Sequence, residues 1–303
     1  MPSIKDLKKR ISSVKNTQQT TKAMKMVSAA KLRRAQDAIH AHRPYAHRMA
    51  HLIRLVSSLS DQSEQLPLLS GRLKNLLDGG KKKVLIILVT SDRGLCGGFN
   101  SYVIKAAQKW YAENAADYSE VQTGFVGRKG YEFFRSRKVQ MGPYFQDEGG
   151  KVTFAKAKKI SQSLVDLYLS GQVDEIKFIY NEFKNAVTQK VVVEDFLPIN
   201  DSLKDEMNEE LAVDSSMYLV KPSQYEILDL LLGKNFAVQS YRILLESQAG
   251  EHGARMSAME NATKNAGEMI RKLTLQYNKQ RQAGITKELL EIISGAESQK
   301  SAS

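Results

Sequence analysis

The same periodic signal sits at both ends of the chain, and it restricts the possible folds more than any other feature. From Ile4 to Val56, apolar and small residues recur at alternating steps of three and four: Ile4, Leu7, Ile11, Val14, Gln18, Thr21, Lys25, Ser28, Leu32, Ala35, Ile39, His42, Ala46, Met49, Ile53, Val56. A one-sided seam held for about seven heptads marks a helix that packs along a partner helix rather than into a compact core. At 1.5 Å per residue it would run about 80 Å. Pro2 and Ser3 make a helix start, and Pro44 is expected to kink the run locally.

The spacing returns beyond Pro222, at Leu228, Leu231, Asn235, Val238, Arg242, Leu245, Ala249, His252, Met256, Met259, Thr263, Ala266, Ile270, Leu273 and Tyr277, then shifts phase through Ile285, Leu289 and Ile292. This predicts a second helix of roughly 70 residues, about 105 Å long. Gly233, Gly250, Gly253, Gly267 and Gly284 each weaken it by about 1 kcal/mol relative to alanine, so a packed partner must stabilise it. The two terminal helices are expected to bury each other as an antiparallel pair.

Between them the period changes. Residues 84–90 read as a buried strand, 98–117 as a helix, 121–126 as a strand, 128–137 and 153–170 as helices, and 175–183 and 189–196 as strands. Alternating strands and helices imply a mostly parallel, helix-covered sheet, with the last hairpin as an antiparallel edge. The expected fold class is α/β: a long antiparallel two-helix coiled coil of the N- and C-terminal helices with an inserted Rossmann-like α/β domain. The expected boundaries are a helix over 1–59, a connector over 60–82, the central domain over 83–200, a partly acidic connector over 201–222, a helix over 223–295 and a polar tail over 296–303.

Charge narrows the partners. Residues 1–60 hold thirteen Lys and Arg against Asp6 and Asp37, nearly the whole of the net +12. Such a block meets something anionic: nucleic acid, a membrane surface or an acidic protein. Nucleic acid is disfavoured because the cations accompany the seam instead of forming a separate arm, and no aromatics are interleaved for base stacking. No apolar run approaches the roughly 20 residues that span a bilayer. A single cysteine, Cys96, excludes an internal disulfide framework and fits a reducing compartment.

Three groups could carry chemistry. Ser91-Asp92-Arg93-Gly94-Leu95-Cys96-Gly97-Gly98-Phe99-Asn100 follows the first strand and opens a helix, as a phosphate-binding turn would. It lacks both the Gly-Lys-Ser/Thr ending of a nucleotide loop and the spacing of a dinucleotide fingerprint, so a tight turn is the plainer reading. His40, His42, His47 and His51 crowd together, and His47 and His51 stand one helical turn apart. They lack a glutamate or third ligand to complete a zinc site. The middle of both seams is small or polar, which suits either a weak helix pair or a stretch surrounded by other subunits.

Several segments together resemble the gamma subunit of rotary ATP synthases. They are Asn16-Thr17-Gln18, Thr21-Lys22-Ala23-Met24, Ser28-Ala29-Ala30-Lys31-Leu32, Arg43-Pro44-Tyr45 and the run from Ser91 to Asn100. Towards the end come Arg255-Met256-Ser257-Ala258-Met259, then Tyr277 to Ala283 and, most specifically, Ile285-Thr286-Lys287-Glu288-Leu289-Leu290-Glu291-Ile292-Ile293-Ser294-Gly295-Ala296. The resemblance implies a non-catalytic, cofactor-free rotor shaft that couples proton flow to ATP synthesis or hydrolysis. It also implies its partners: a ring of alpha and beta subunits, an epsilon subunit and a membrane ring of c subunits. Position by position, Met24, Lys25 and Arg255 would meet the acidic lever of beta. Arg281, Gln282, Thr286 and Glu288 would contact the upper part of the ring, and the C-terminal tip would turn in an apolar sleeve. The short N-terminus, with no transit peptide, favours a bacterial protein at the cytoplasmic face of the inner membrane. A coiled-coil adaptor or nucleic-acid-binding rod, and a nucleotide-binding enzyme built on the insert, are the competing readings.

Overall fold

The computed structural model describes residues 3–58, 68, 81–137, 139–146, 152–185, 188–199, 221 and 223–301. In chain order the elements are α1 (Ile4–Ser58), β1 (Lys83–Val89), α2 (Phe99–Asn114), β2 (Glu120–Val126), α3 (Arg128–Arg135), β3 (Gln140–Phe145), α4 (Phe154–Leu169), β4 (Glu175–Phe183), β5 (Gln189–Leu197) and α5 (Gln224–Ser301). The protein is mixed α/β, with a mostly parallel sheet and a long C-terminal helix. Most of the expected connectors, residues 59–67, 69–80 and 200–220, lie outside the described residues. No helix among the described residues is long and apolar enough to cross a membrane.

The chain divides into two compact units, residues 28–255 and residues 1–27 with 256–303. The larger holds the sheet, in the order β3-β2-β1-β4-β5. β1 pairs in parallel with β2 and β4, β2 in parallel with β3, and β5 antiparallel with β4. The run Val84-Leu85-Ile86-Ile87-Leu88-Val89 takes the centre because it is apolar on both faces of the pleat. Alternate side chains feed two cores. Leu85, Ile87 and Val89 pack with Met49, Ile53 and Val56 of α1, Ala157, Ile160, Leu164 and Tyr168 of α4, and Leu228, Leu232, Phe236, Ile243 and Leu244 of α5. Val84, Ile86 and Leu88 pack with Val103, Ala107 and Trp110 of α2 and Phe134 of α3.

Two expectations are corrected. β3 was not anticipated: its sequence, QMGPYF, carries a glycine and a proline that interrupt any strand pattern. Both fit its place at the sheet edge, where proline need not donate to a ladder. At Gly142 an added Cβ would come within 2.9 Å of the Leu85 side chain. Pro44, the residue expected to kink the run, lies inside α1. The stretch expected as a polar tail is helical up to Ser301. Gly127, between β2 and α3, has φ 90°, and an added Cβ there would lie 2.0 Å from the Thr90 carbonyl oxygen, so only glycine serves.

In the smaller unit the two terminal segments lie side by side in opposite directions. Gln18 Nε2 donates to the Thr263 carbonyl at 3.4 Å, the Thr21 and Thr263 hydroxyls are 2.8 Å apart, and Lys25 pairs with Glu260. At the far end, a Cβ on Gly284 would sit 3.7 Å from Ile4. As position rises along α1, the α5 partner falls. Leu7, Met259 and Ala266 are buried, while most other side chains of these segments stay open.

Candidate functional site

The seven residues singled out from sequence fall into three places. In the smaller unit, Lys25 Nζ stands 2.7 Å from Glu260 Oε1, with the two side chains 37% and 58% exposed. Met24 beside it is half-buried, while Met26 and Val27 face outward. An ion pair this open adds little stability, and Lys25 stays accessible to a second carboxylate.

Further along α5, Arg281, Gln282, Thr286 and Glu288 are all exposed. At 100° per residue, Arg281 and Glu288 share one stripe of the helix and Gln282 and Thr286 another. Ile285, Leu289 and Ile292 occupy the strip between them, each roughly half to two-thirds exposed. The Thr286 hydroxyl donates to the Gln282 carbonyl at 3.0 Å, and the stretch's one ion pair among the described residues is Lys287 with Glu291. This is an apolar helix face with polar flanks and no partner among the described residues.

Arg255 is placed quite differently. It belongs to the larger unit, is 8% exposed, and its Nη1 lies 2.7 Å from Glu251 Oε1. Its Nε and Nη2 donate to the Gly94 carbonyl and its Nη2 to that of Arg93, at 3.3–3.4 Å. The guanidinium therefore fastens the glycine-rich turn from beneath and does not present an open charge. A third donor, Nη1, reaches His252 Nδ1 at 3.3 Å. Burial first, then the charges of Arg255 and Lys31, lower the His252 pKa to about 4. The ring is thus neutral at pH 7, with Nδ1 free to accept.

The turn is tied from its other side as well. Asn100 accepts the Ser91 amide at 2.9 Å and donates to Ser91 Oγ at 2.8 Å and to Cys96 Sγ at 3.3 Å. Ser91 Oγ donates to the Arg93 carbonyl at 2.6 Å. The Ser91 and Asn100 side chains bond within the turn, which suits a tight turn. Arg93, Gly94 and Leu95 face solvent, and Leu95 has φ 63°, a conformation costing a side-chain residue about 1 kcal/mol.

Of the four clustered histidines, His42 lies 3.3 Å from the Val238 carbonyl and meets Tyr241 edge-on, while His40 and His47 are exposed. The clamp of Glu251, His252 and Arg255 on the turn escaped sequence reasoning. Its only trace was three polar residues within one turn of an apolar seam.

A family model described as ATP synthase matches residues 3–298. Over 300 residues the chain is 47% identical to the ATP synthase gamma chain of Geotalea uraniireducens, covering 99% of this chain and 100% of that protein. The chain belongs to the ATP synthase gamma-chain family. The gamma chain of Anaeromyxobacter sp. strain Fw109-5 is 46% identical over 302 residues, again 99% of this chain and 100% of that one. Among solved structures, a chain of the Tetrahymena thermophila mitochondrial ATP synthase central stalk and c-ring matches with TM-score 0.57 and 25% identity over 80% of this chain and 99% of that one. A chain of the Euglena gracilis mitochondrial ATP synthase matches with TM-score 0.65 over 97% of this chain and 94% of that one; at 19% identity this shows the fold alone.

Proposed function

We propose that the chain is the rotor shaft of a proton-coupled ATP synthase, carrying torque between a membrane ring of c subunits and a catalytic ring of alpha and beta subunits, and catalysing nothing itself. The observation that carries this reading is the end-to-end match to gamma chains. The antiparallel contacts between residues 4–25 and 260–284 support a two-stranded coiled coil, which resists twisting. The five-stranded sheet supports a Rossmann-like domain inserted over about 83–200.

The exposed Lys25, in a segment with Met24, faces the acidic lever of a beta subunit in this proposal. Arg281, Gln282, Thr286 and Glu288 flank an apolar strip that turns within the upper part of the ring. Arg255 acts from beneath, by holding the turn that displays Arg93 and Leu95. The epsilon subunit and the c-ring engage the central domain, and the assembly sits peripherally at the cytoplasmic face of the bacterial inner membrane. A rotating contact must avoid deep wells: each extra 1.4 kcal/mol of binding at one angle slows escape about tenfold. Open ion pairs and a smooth apolar strip meet that requirement.

The test is reconstitution with alpha and beta subunits of the same organism, with a bead fixed to the central domain and viewed during ATP hydrolysis. Unidirectional steps of roughly 120°, as threefold symmetry demands, are expected. A ring that binds the chain without turning it would overturn the proposal in favour of an adaptor.

A further inference from the structure

Within the larger unit, α5 is fastened to the edge hairpin β4–β5 by one guanidinium and two carboxyls, and the two carboxyls are not served alike. Arg242 of α5 pairs through Nη2 with Glu194 of β5, whose second oxygen accepts from the Tyr180 hydroxyl at 2.6 Å. Its Nη1 donates to the Tyr180 oxygen at 3.2 Å and its Nε to Gln239 Oε1 at 2.8 Å. Glu246, one helical turn further along α5, receives only a 3.5 Å contact from Nη1 to its Oε1. Its Oε2 is shut off from solvent and has no hydrogen-bond partner.

An ionised oxygen in that place has lost its water and gained no donor, so burial disfavours the charged form. Nothing larger than a proton can satisfy it. The neighbouring charges act in the same direction: besides Arg242, those felt by Glu246 are Glu182 on β4 and Glu194 on β5. Lys184 pairs with Glu182 at 2.8 Å, and Lys190 stands opposite Glu182 in the ladder. On α1, the His42 pKa is lowered, by burial first and also by Arg242, so that ring adds no cation at pH 7. The Tyr180 pKa is raised, by burial first, and its hydroxyl keeps its proton. Burial, followed by these two carboxylates, lifts the Glu246 pKa above the ordinary 4.5, against the pull of Arg242.

We infer that the joint between α5 and the β4–β5 hairpin responds to pH, with Glu246 taking up and releasing the proton while Glu194 keeps the arginine. Neutral, Glu246 needs no cation and packs beside a guanidinium that is already shared. Ionised, it becomes a second buried carboxylate competing for that guanidinium, and the joint loosens. The stability held by the neutral carboxyl is complete below pH 4.5 and is lost as pH rises through the raised folded pKa. All the groups belong to one chain, so the inference stands apart from the rotor reading and needs no other subunit.

The test follows the Glu246 side-chain carboxyl carbon of the full-length chain by NMR from pH 4 to 9. Its midpoint is expected above 4.5. In Glu194→Gln, which releases the guanidinium to Glu246 and removes a like charge, the midpoint is expected about one pH unit lower than in the parent. Urea unfolding then compares the parent with Glu246→Gln. The variant's stability relative to the parent is expected to grow from pH 4 to pH 8, because only the parent has this proton to lose. Groups elsewhere, His252 included, cancel in that difference. A midpoint at or below 4.5, a midpoint that Glu194→Gln leaves in place, or a stability difference flat with pH each overturns the proposal. Should Glu194→Gln fail to fold, the parent midpoint and Glu246→Gln decide; should Glu246→Gln fail, the two midpoints decide.

Discussion

At the scale of single residues, the clamp under the glycine-rich turn makes the strongest demands. Arg255 serves one carboxylate, two carbonyls and a neutral imidazole at once. Arg255→Gln removes the guanidinium from Glu251 and from both carbonyls. The expected loss is about 2–3 kcal/mol by chemical denaturation, with faster hydrogen exchange at the amides of residues 92–98. Arg255→Lys keeps the charge but lacks the planar fork, so about half of the loss is expected to remain. His252 adds a pH dependence of definite sign. Its folded pKa is depressed to about 4 from 6.5, because burial and the nearby cations oppose a second positive charge. Protons therefore bind the unfolded chain more readily. The stability held by the neutral ring is complete above pH 6.5 and is lost as pH falls toward 4, at most about 3 kcal/mol. His252→Gln should flatten that limb of a stability-against-pH curve measured by urea unfolding between pH 7 and 4. An unchanged limb would assign the acid sensitivity to other groups.

Elements differ in how openly they declare themselves, and the difference is physical. The terminal helices were legible because their seams repeat over many turns, and β1 because a strand buried on both faces is continuously apolar. β3 was hidden because Gly142 and Pro143 answer to the sheet edge and to Leu85 beneath it, neither of which leaves a periodic signal. The seven candidate residues were named by resemblance alone, and spacing gave no hint that Arg255 would point inward. The paired segments of the smaller unit also show what the glycines on α5 do. An added Cβ at Gly267 would approach Gln18 Nε2 to 3.0 Å, the far end of a flexible side chain that can swing aside. Gly267→Ala therefore trades a weak contact, a 3.4 Å hydrogen bond, against about 1 kcal/mol of helix propensity. A net gain of about 0.5 kcal/mol is expected, read as slower amide exchange over residues 260–275. A loss would mean that the Gln18 contact fixes the pairing of the two segments.

Across the whole molecule, the question is whether Lys25 acts within the chain or toward a neighbour. Its bond to Glu260 is open to solvent, so breaking it costs less than about 1 kcal/mol, and two substitutions separate the roles. Glu260→Gln removes the internal pair and leaves the Lys25 charge in place. Lys25→Glu removes the same pair and reverses the charge that the proposed acidic lever would meet. In the reconstituted synthase both variants are expected to assemble normally, since neither touches a buried group. ATP-driven proton pumping per ATP hydrolysed should fall several-fold for Lys25→Glu and stay near the parent value for Glu260→Gln. The loss should shrink further as salt is added, because an exposed attraction or repulsion is screened beyond about 10 Å at 0.1 M. Equal losses in the two variants would show that the pair matters for holding α1 to α5, and the outward role assigned to Lys25 would be withdrawn. A Lys25→Glu variant that fails to assemble at all would instead make the contact one of affinity. That result contradicts a shaft which must slip past each neighbour in turn without being held by any.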